Sequence, residues 1–295
     1  MRKTTARRAP LAGIRIVSVA PNLPGPAALK RCRDMGATCI KLEAPSGDPM
    51  RAYNASAYEY LHERIAVRVA DLKSEKGQRL LQRELARADV VLTSSRPSTL
   101  ATLGLGWKSL HARFPSLSHV AIVGWSGARV EEPGHDLTYL AEQGLVRGLE
   151  LPSTLYADMA GSLMVCEAVL QAVLQTALHG AGGVFKQVAL SDAAALLAWP
   201  KQWGLTAATS ALGGAHAFYR VYACLDGRVA VAALEGQFAA ALCIAAGIDV
   251  SNAVRMTDSA TAEALTRFFS GRTRTQLLRL ARECGIPLQP MPQQD

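Results

Sequence analysis

Along the first two thirds of the chain, short apolar runs alternate with longer stretches whose apolar positions recur every three or four residues. IRIVSVA at 14–20 is followed by the turn PNLPGP and by AALKRCRDMG, then by TCIKLE at 38–43. Further on, SEKGQRLLQRELARA leads into DVVLTS, and SLSHVAIVGW follows a short helical piece. A short apolar run suits a buried strand, and a helical period suits a segment lying on the sheet. The alternation predicts βαβ units with a parallel sheet, an α/β fold. YADMAGS then opens the long apolar run LMVCEAVLQAVLQTAL, which predicts a helix. GAGGVFKQVAL adds a Gly turn and one more strand before an Ala-rich helix that runs to about Trp203.

The pattern changes beyond that helix. TAATSALGGAHA is small and flexible, the composition of a linker. FYRVYACLDGRVAVAAL holds two alternating runs around Asp226-Gly227, a hairpin signal, and two helical stretches follow it. The predicted organisation is a basic tail at 1–9, a large α/β domain at 10–205, a linker at 206–217 and a small α+β domain at 218–295.

Composition narrows the function. With 295 residues, 49% hydrophobic and 19% charged, the chain can bury a large core. Its net charge of +8 owes half to Arg2, Lys3, Arg7 and Arg8. The remainder has no dense Lys/Arg stripe with interleaved aromatics, so no nucleic-acid partner is expected and a small polyanionic ligand fits better. The six cysteines form no CxxC pair and sit mostly in apolar segments, which predicts reduced core residues and no metal site. The basic start followed by an apolar stretch has the order of a signal peptide, but Arg15 interrupts it and PNLPGP reads as a turn after a strand. Glu167, Gln171 and Gln175 break the longest apolar run, so no membrane span is expected and the protein reads as cytoplasmic.

Candidate chemistry begins with Asp158, placed just before the long apolar helix. A carboxylate there can be a simple N-cap. The same helix start can also stabilise an oxyanion formed beside a catalytic carboxylate. His135, after a Pro-Gly turn and next to Asp136, is either a structural hydrogen-bonding group or a proton carrier, with Asp136 as an ordinary cap for LTYLAEQG. Glu235, at the end of an apolar run, is either a helix-start acid or a carboxylate at a cleft. Trp125, near a strand end, is read as packing with a possible place on a pocket wall.

The blocks PLAGIRIVSVAPNLPGPAALKRCRDMGATCIKLEAPSGDPMR, ADLKSEKGQRLL, ADVVLTSSRPSTLATLGLGW, PGHDLTYLAEQG, YADMAGS and YRVYACLDGRVAVAALEGQF occur in order from Pro10 to about Pro290. Together they resemble the type III CoA-transferase family, which includes formyl-CoA and carnitine CoA-transferases and the alpha-methylacyl-CoA racemases. The resemblance implies a Rossmann-like large domain, a smaller domain, an interlocked homodimer, and a coenzyme A thioester as substrate with no permanently bound cofactor. It makes Asp158 the catalytic carboxylate. GHDLTYLAEQG is closer to the racemases, whose catalytic His falls at His135 and whose small-domain Glu falls at Glu235. The implied reaction exchanges the alpha proton of a 2-methylacyl-CoA between His135 and Asp158, with Glu235 orienting His135. The enolate would be held by N–H groups near Met159 and Ala160. Asn22, Lys73 and Arg96 are the implied CoA contacts. In the transferase alternative, Asp158 forms an anhydride and then a CoA thioester.

Some positions depart from the family. Arg is usual where Ala44 and Thr102 stand, Ser94 and Ser95 precede the Arg-Pro pair, and the Gly-rich run after the catalytic Asp is diluted to Met159-Ala160-Gly161-Ser162. Arg51 or Arg64 is expected to compensate. These departures, with a chain that stops where relatives continue, leave a third expectation of a shortened acyl-CoA-binding member without turnover.

Overall fold

The computed structural model of the chain describes residues 9–180, 182–249 and 259–292. Most of the expected basic tail at 1–9 lies outside the described residues. Six strands form one sheet: β1 (Arg15–Ser18), β2 (Thr38–Glu43), β3 (Ala66–Val69), β4 (Val90–Thr93), β5 (Ser118–Val123) and β6 (Phe185–Ala189). They run parallel in the order β3-β2-β1-β4-β5-β6. The chain winds outward from β1 to β3, then crosses back to start the other half at β4. The helices between them are α1 (Pro24–Asp34), α2 (Pro49–Tyr53), α3 (Ala55–His62), α4 (Glu75–Leu85), α5 (Pro97–Thr102), α6 (Trp107–Arg113), α7 (Asp136–Glu142) and α8 (Tyr156–His179), and α9 (Leu190–Gln202) follows β6.

Both faces of the sheet are covered, which is why its inner strands read as continuous apolar runs. Successive residues point to opposite faces. Ile16, Val90, Leu92, Val120 and Ile122 join Leu29 and Cys32 of α1, Tyr139 and Leu140 of α7, and Val165 and Val169 of α8. Val17, Ile40, Leu42 and Val91 meet Leu81 and Leu85 of α4, Leu100 of α5 and Leu110 of α6 on the other side.

Helix α8 is the one helix among the described residues long and apolar enough to cross a membrane, despite the polar residues counted against that in the sequence. Its buried residues, among them Ala157, Gly161, Val165, Cys166, Val169 and Ala172, recur every three or four positions, the stripe of a helix packed on a core. A Cβ at Gly161 would lie 2.3 Å from Leu190 Cδ2, so the absence of a side chain sets how closely α8 approaches the start of α9.

The contacts divide the chain after Ala198, ahead of the expected domain end at 205. In the second unit, β7 (Tyr219–Cys224) and β8 (Gly227–Ala232) form the hairpin, and β9 (Leu288–Pro290) pairs antiparallel with β8. Cys224 pairs with Gly227, so the turn is Leu225-Asp226, one residue earlier than Asp226-Gly227. Asp226 is fixed there by the Arg274 N–H, which donates to it at 2.7 Å. Helices α10 (Gly236–Ala246), α11 (Ser259–Ser270) and α12 (Arg274–Cys284) complete a separate core with Phe218, Val229, Leu242, Phe269 and Leu277. All six cysteines are free; four are buried, Cys224 is half-buried and Cys284, expected in a core, is exposed.

Candidate active site

In an open parallel sheet, ligands bind outside the carboxyl ends of the strands where the strand order reverses. The segments after β1, β4, β5 and β6 frame a cavity of about 490 Å3 at that edge. Asn22, Arg96, His135 and Asp158 all line it. A second cavity of about 370 Å3, lined by Lys73 and Ala44, shares Pro21 with the first.

Asp158 does not cap its own helix. It lies in the first turn of α8, and Leu155 occupies the cap position without a side-chain bond. The cap comes instead from Asp136, whose Oδ1 accepts the Asp158 N–H at 2.9 Å. Asp136 therefore serves α8 from the first turn of the neighbouring α7 and is not the N-cap of its own helix that the sequence predicts, since His135 holds that position. Burial of the Asp158 carboxyl, reinforced by the Asp136 charge, pushes its pKa up to about 6. A carboxyl with that pKa exchanges protons near neutral pH.

Tyr139 lies beside the two acids. It is 1% exposed, and burial together with Asp158 and Asp136 pushes its phenol up to about 12. Two glycines make room for it, since a Cβ at Gly124 would meet its hydroxyl at 2.6 Å and one at Gly134 its ring, also at 2.6 Å. Trp125 packs edge-on against the Tyr139 ring, at 4.9 Å between centroids, and donates to the Pro133 carbonyl at 3.2 Å. It supports the cavity wall from behind.

His135 starts α7 in an extended conformation. Its N–H donates to Thr138 Oγ1 at 3.0 Å, and the Thr138 hydroxyl donates back to its carbonyl at 2.7 Å. The residue is thus held by its backbone and faces the cavity that Asp158 lines.

The expectation for Met159 and Ala160 changes. The Met159 N–H donates to the Leu155 carbonyl at 3.0 Å, so that oxyanion donor is already engaged by the helix, and neither residue lines the cavity. Glu235 belongs to the second unit, where it caps α10 with its carbonyl accepting the Phe238 and Ala239 N–H groups. Of the two compensating arginines, Arg51 stacks over the Tyr58 ring at 4.1 Å, and Arg64 lies at the amino edge of the strands. Neither lines the two cavities of the carboxyl edge.

Asn22 takes a left-handed conformation with φ 65°, which Asn tolerates better than most residues. Its N–H donates to Asp48 Oδ1 at 3.0 Å, and the same oxygen accepts the Met50 N–H at 2.9 Å. Behind Asp48 lies a buried ionic cluster missed by the sequence reading. Lys41, 1% exposed, pairs with Asp48, with Glu43 at 3.0 Å and with His62 Nε2 at 2.9 Å. Tyr58 donates its hydroxyl to Glu43 at 2.7 Å. Burial, and then the nearby Lys41, lowers the His62 pKa. Glu43, Asp48 and His62 have the composition of a metal site, with ligand atoms within 4.8 Å of one another. The Lys41 ammonium already serves as their cation.

Comparison with known proteins gives the family and the fold. The model of CoA-transferase family III matches residues 11–294. A probable fatty acyl-CoA transferase of Mycobacterium tuberculosis is 32% identical over 63% of this chain and 51% of its own length. Human alpha-methylacyl-CoA racemase is 29% identical over 77% of this chain and 62% of its own. The matches thus span about half to two thirds of these relatives. A crystal structure of the M. tuberculosis protein superposes with TM-score 0.82 at 25% identity, covering 97% of this chain and 83% of the other. A CAIB/BAIF family protein from Brucella suis gives 0.81 at 26% identity, with 97% and 85% covered.

Proposed function

This chain belongs to CoA-transferase family III, and from that premise we propose that it racemises or epimerises a 2-methylacyl-CoA by exchange of the alpha proton. The observation that carries the reading is that His135 and Asp158 line one cavity, and that Asp158 has a pKa pushed up to about 6 by burial and by Asp136. Alpha-proton exchange needs two groups that trade a proton near neutral pH, one on each face of the substrate carbon. The C–H electron pair passes into the thioester carbonyl as His135 accepts the proton. Asp158, protonated, returns one to the opposite face, and the reverse assignment serves the other enantiomer. The thioester lies along the Asn22 and Arg96 wall, and its nucleotide tail runs past Pro21 toward Lys73. Glu235 enters by resemblance alone, as the acid that orients His135.

A transferase reading draws on a different feature. A carboxylate stripped of water is also a better nucleophile, and the M. tuberculosis relative carries a transferase name. Asp158 would attack the thioester carbonyl and release CoA thiolate, which would attack the anhydride at the Asp158 carbonyl, expel the donor carboxylate and leave CoA on Asp158. An acceptor carboxylate then attacks that thioester and releases the thiolate, which attacks the acceptor carbonyl of the new anhydride and frees the Asp158 carboxylate.

Incubation of a 2-methylacyl-CoA in deuterated buffer without acceptor separates the two. Deuterium at the alpha carbon is the expected result. No incorporation, with an acylated or CoA-bearing Asp158 peptide in the mass spectrum, would replace the racemase reading by the transferase. Homodimer formation is part of the proposal, supported by the exposed apolar stripe Met159, Leu163, Leu170, Leu174 and Leu178 along α8.

A further inference from the structure

The amino ends of β1, β2 and β3, at the edge opposite the Asp158 cavity, frame a third cavity of about 470 Å3. Arg15, Arg33, Arg64, Arg68 and Thr38 line it, and no acidic residue does. The acids nearby are outnumbered. Glu84 accepts from Arg15 at 2.7 Å and from Arg68 at 2.6 Å, with Arg83 at 3.8 Å. Asp34 is shared by Arg33 at 3.1 Å and Lys30 at 3.2 Å, and Glu63 stands 3.7 Å from Arg33.

Arg33 is the least satisfied of these residues. It is 8% exposed, and all three of its guanidinium nitrogens are buried without a hydrogen bond, since the Asp34 and Glu63 contacts lack bonding geometry. Arg15 Nε is in the same condition. A buried donor without an acceptor is costly, more so when it is charged. Neither the Asp158 cavity nor its neighbour uses these residues. Arg64 adds a left-handed backbone, φ 57°, at the cavity rim.

Guanidinium forks match pairs of phosphate oxygens. Four of them around a space without acids favour a group of charge two or more over a single carboxylate. We infer that this cavity binds the phosphate group of a small molecule, with Arg33 as its floor and Arg64 and Arg68 at its rim. The site is independent of the acyl-CoA chemistry proposed for the other edge.

The test is calorimetry on the full chain with pyrophosphate and, separately, with ADP. Saturable binding of pyrophosphate that weakens as salt rises is expected. Tighter binding of ADP identifies an organic phosphate as the source, and equal binding identifies the free anion. Arg64→Ala with Arg68→Ala, both at exposed positions, should weaken pyrophosphate at least about tenfold, the loss of one charged contact. Arg33→Met should abolish binding and melt no lower than the parent. Pyrophosphate binding should persist in Lys73→Ala, which removes the phosphate contact proposed at the other edge, and should there still be weakened by the Arg64 and Arg68 changes. Absence of binding by both probes, binding that survives the Arg64 and Arg68 changes, or binding lost in Lys73→Ala would overturn the inference.

Discussion

Glu43 and Asp48 are buried acids with an ammonium between them, whereas Asp136 and Asp158 form a pair of acids in contact through a backbone N–H with no cation beside them among the described residues. Both pairs stand near the carboxyl edge of the same sheet, and both help to shape the same cavity. The Lys41 cluster neutralises its charge and spends its hydrogen bonds on geometry, holding the left-handed turn at Asn22 through Asp48. The Asp136–Asp158 pair leaves its charge uncompensated, and the result is a proton held with unusual strength for an aspartate. A compensated cluster positions residues; an uncompensated one holds a proton ready to move.

Breaking the second pair has the largest expected effect. Asp158→Asn should lower alpha-proton exchange by about 10^3-fold, the scale of a lost general acid or base, in a deuterium incorporation assay. The same variant should melt higher than the parent at pH 8, because an amide is easier to bury there than a carboxylate. Breaking the first cluster acts on stability. Lys41→Met leaves Glu43 and Asp48 without their cation and should lower unfolding free energy by about 3–5 kcal/mol, read by urea titration.

The pH dependence sharpens the contrast. A carboxyl whose folded pKa is raised from 3.8 to about 6 adds stability that is full below the lower value and lost as pH rises through the upper one. Asp158→Asn should therefore gain on the parent between pH 4 and pH 7, by on the order of 2 kcal/mol once partial exposure is allowed for. Melting temperatures of both proteins across that range measure it. Gly161→Ala should cost about 1–3 kcal/mol, because its Cβ must displace Leu190, and the same change should cost less when made in a Leu190→Ala protein. Tyr58→Phe removes one hydrogen bond to Glu43 and should cost about 1–2 kcal/mol in the same titration.

The sheet was legible where its strands are buried on both faces, as at Val90–Thr93 and Ser118–Val123. β3 escaped notice because it is an edge strand, largely exposed and interrupted by Arg68, and β9 because it is three residues ending in Pro290. Asp158 and His135 were ambiguous as isolated residues and became candidates through the order of blocks around them. The parts played by Asp136 and Tyr139 were hidden for a physical reason. They depend on α7 meeting α8 across 22 residues of sequence, and no local pattern records that Asp136 caps a different helix. Lys41 was hidden likewise, since a charge inside a strand looks solvent-facing until its three partners, from β2, α3 and the α2 cap, close around it.

Asp158 is the acid that this fold leaves uncompensated. Carbon-13 NMR of aspartate-labelled protein, with Asp158→Asn used to assign the resonance, reads that carboxyl directly. A titration midpoint near 6 is expected. A midpoint at or below the ordinary aspartate value of about 3.9 would contradict the account.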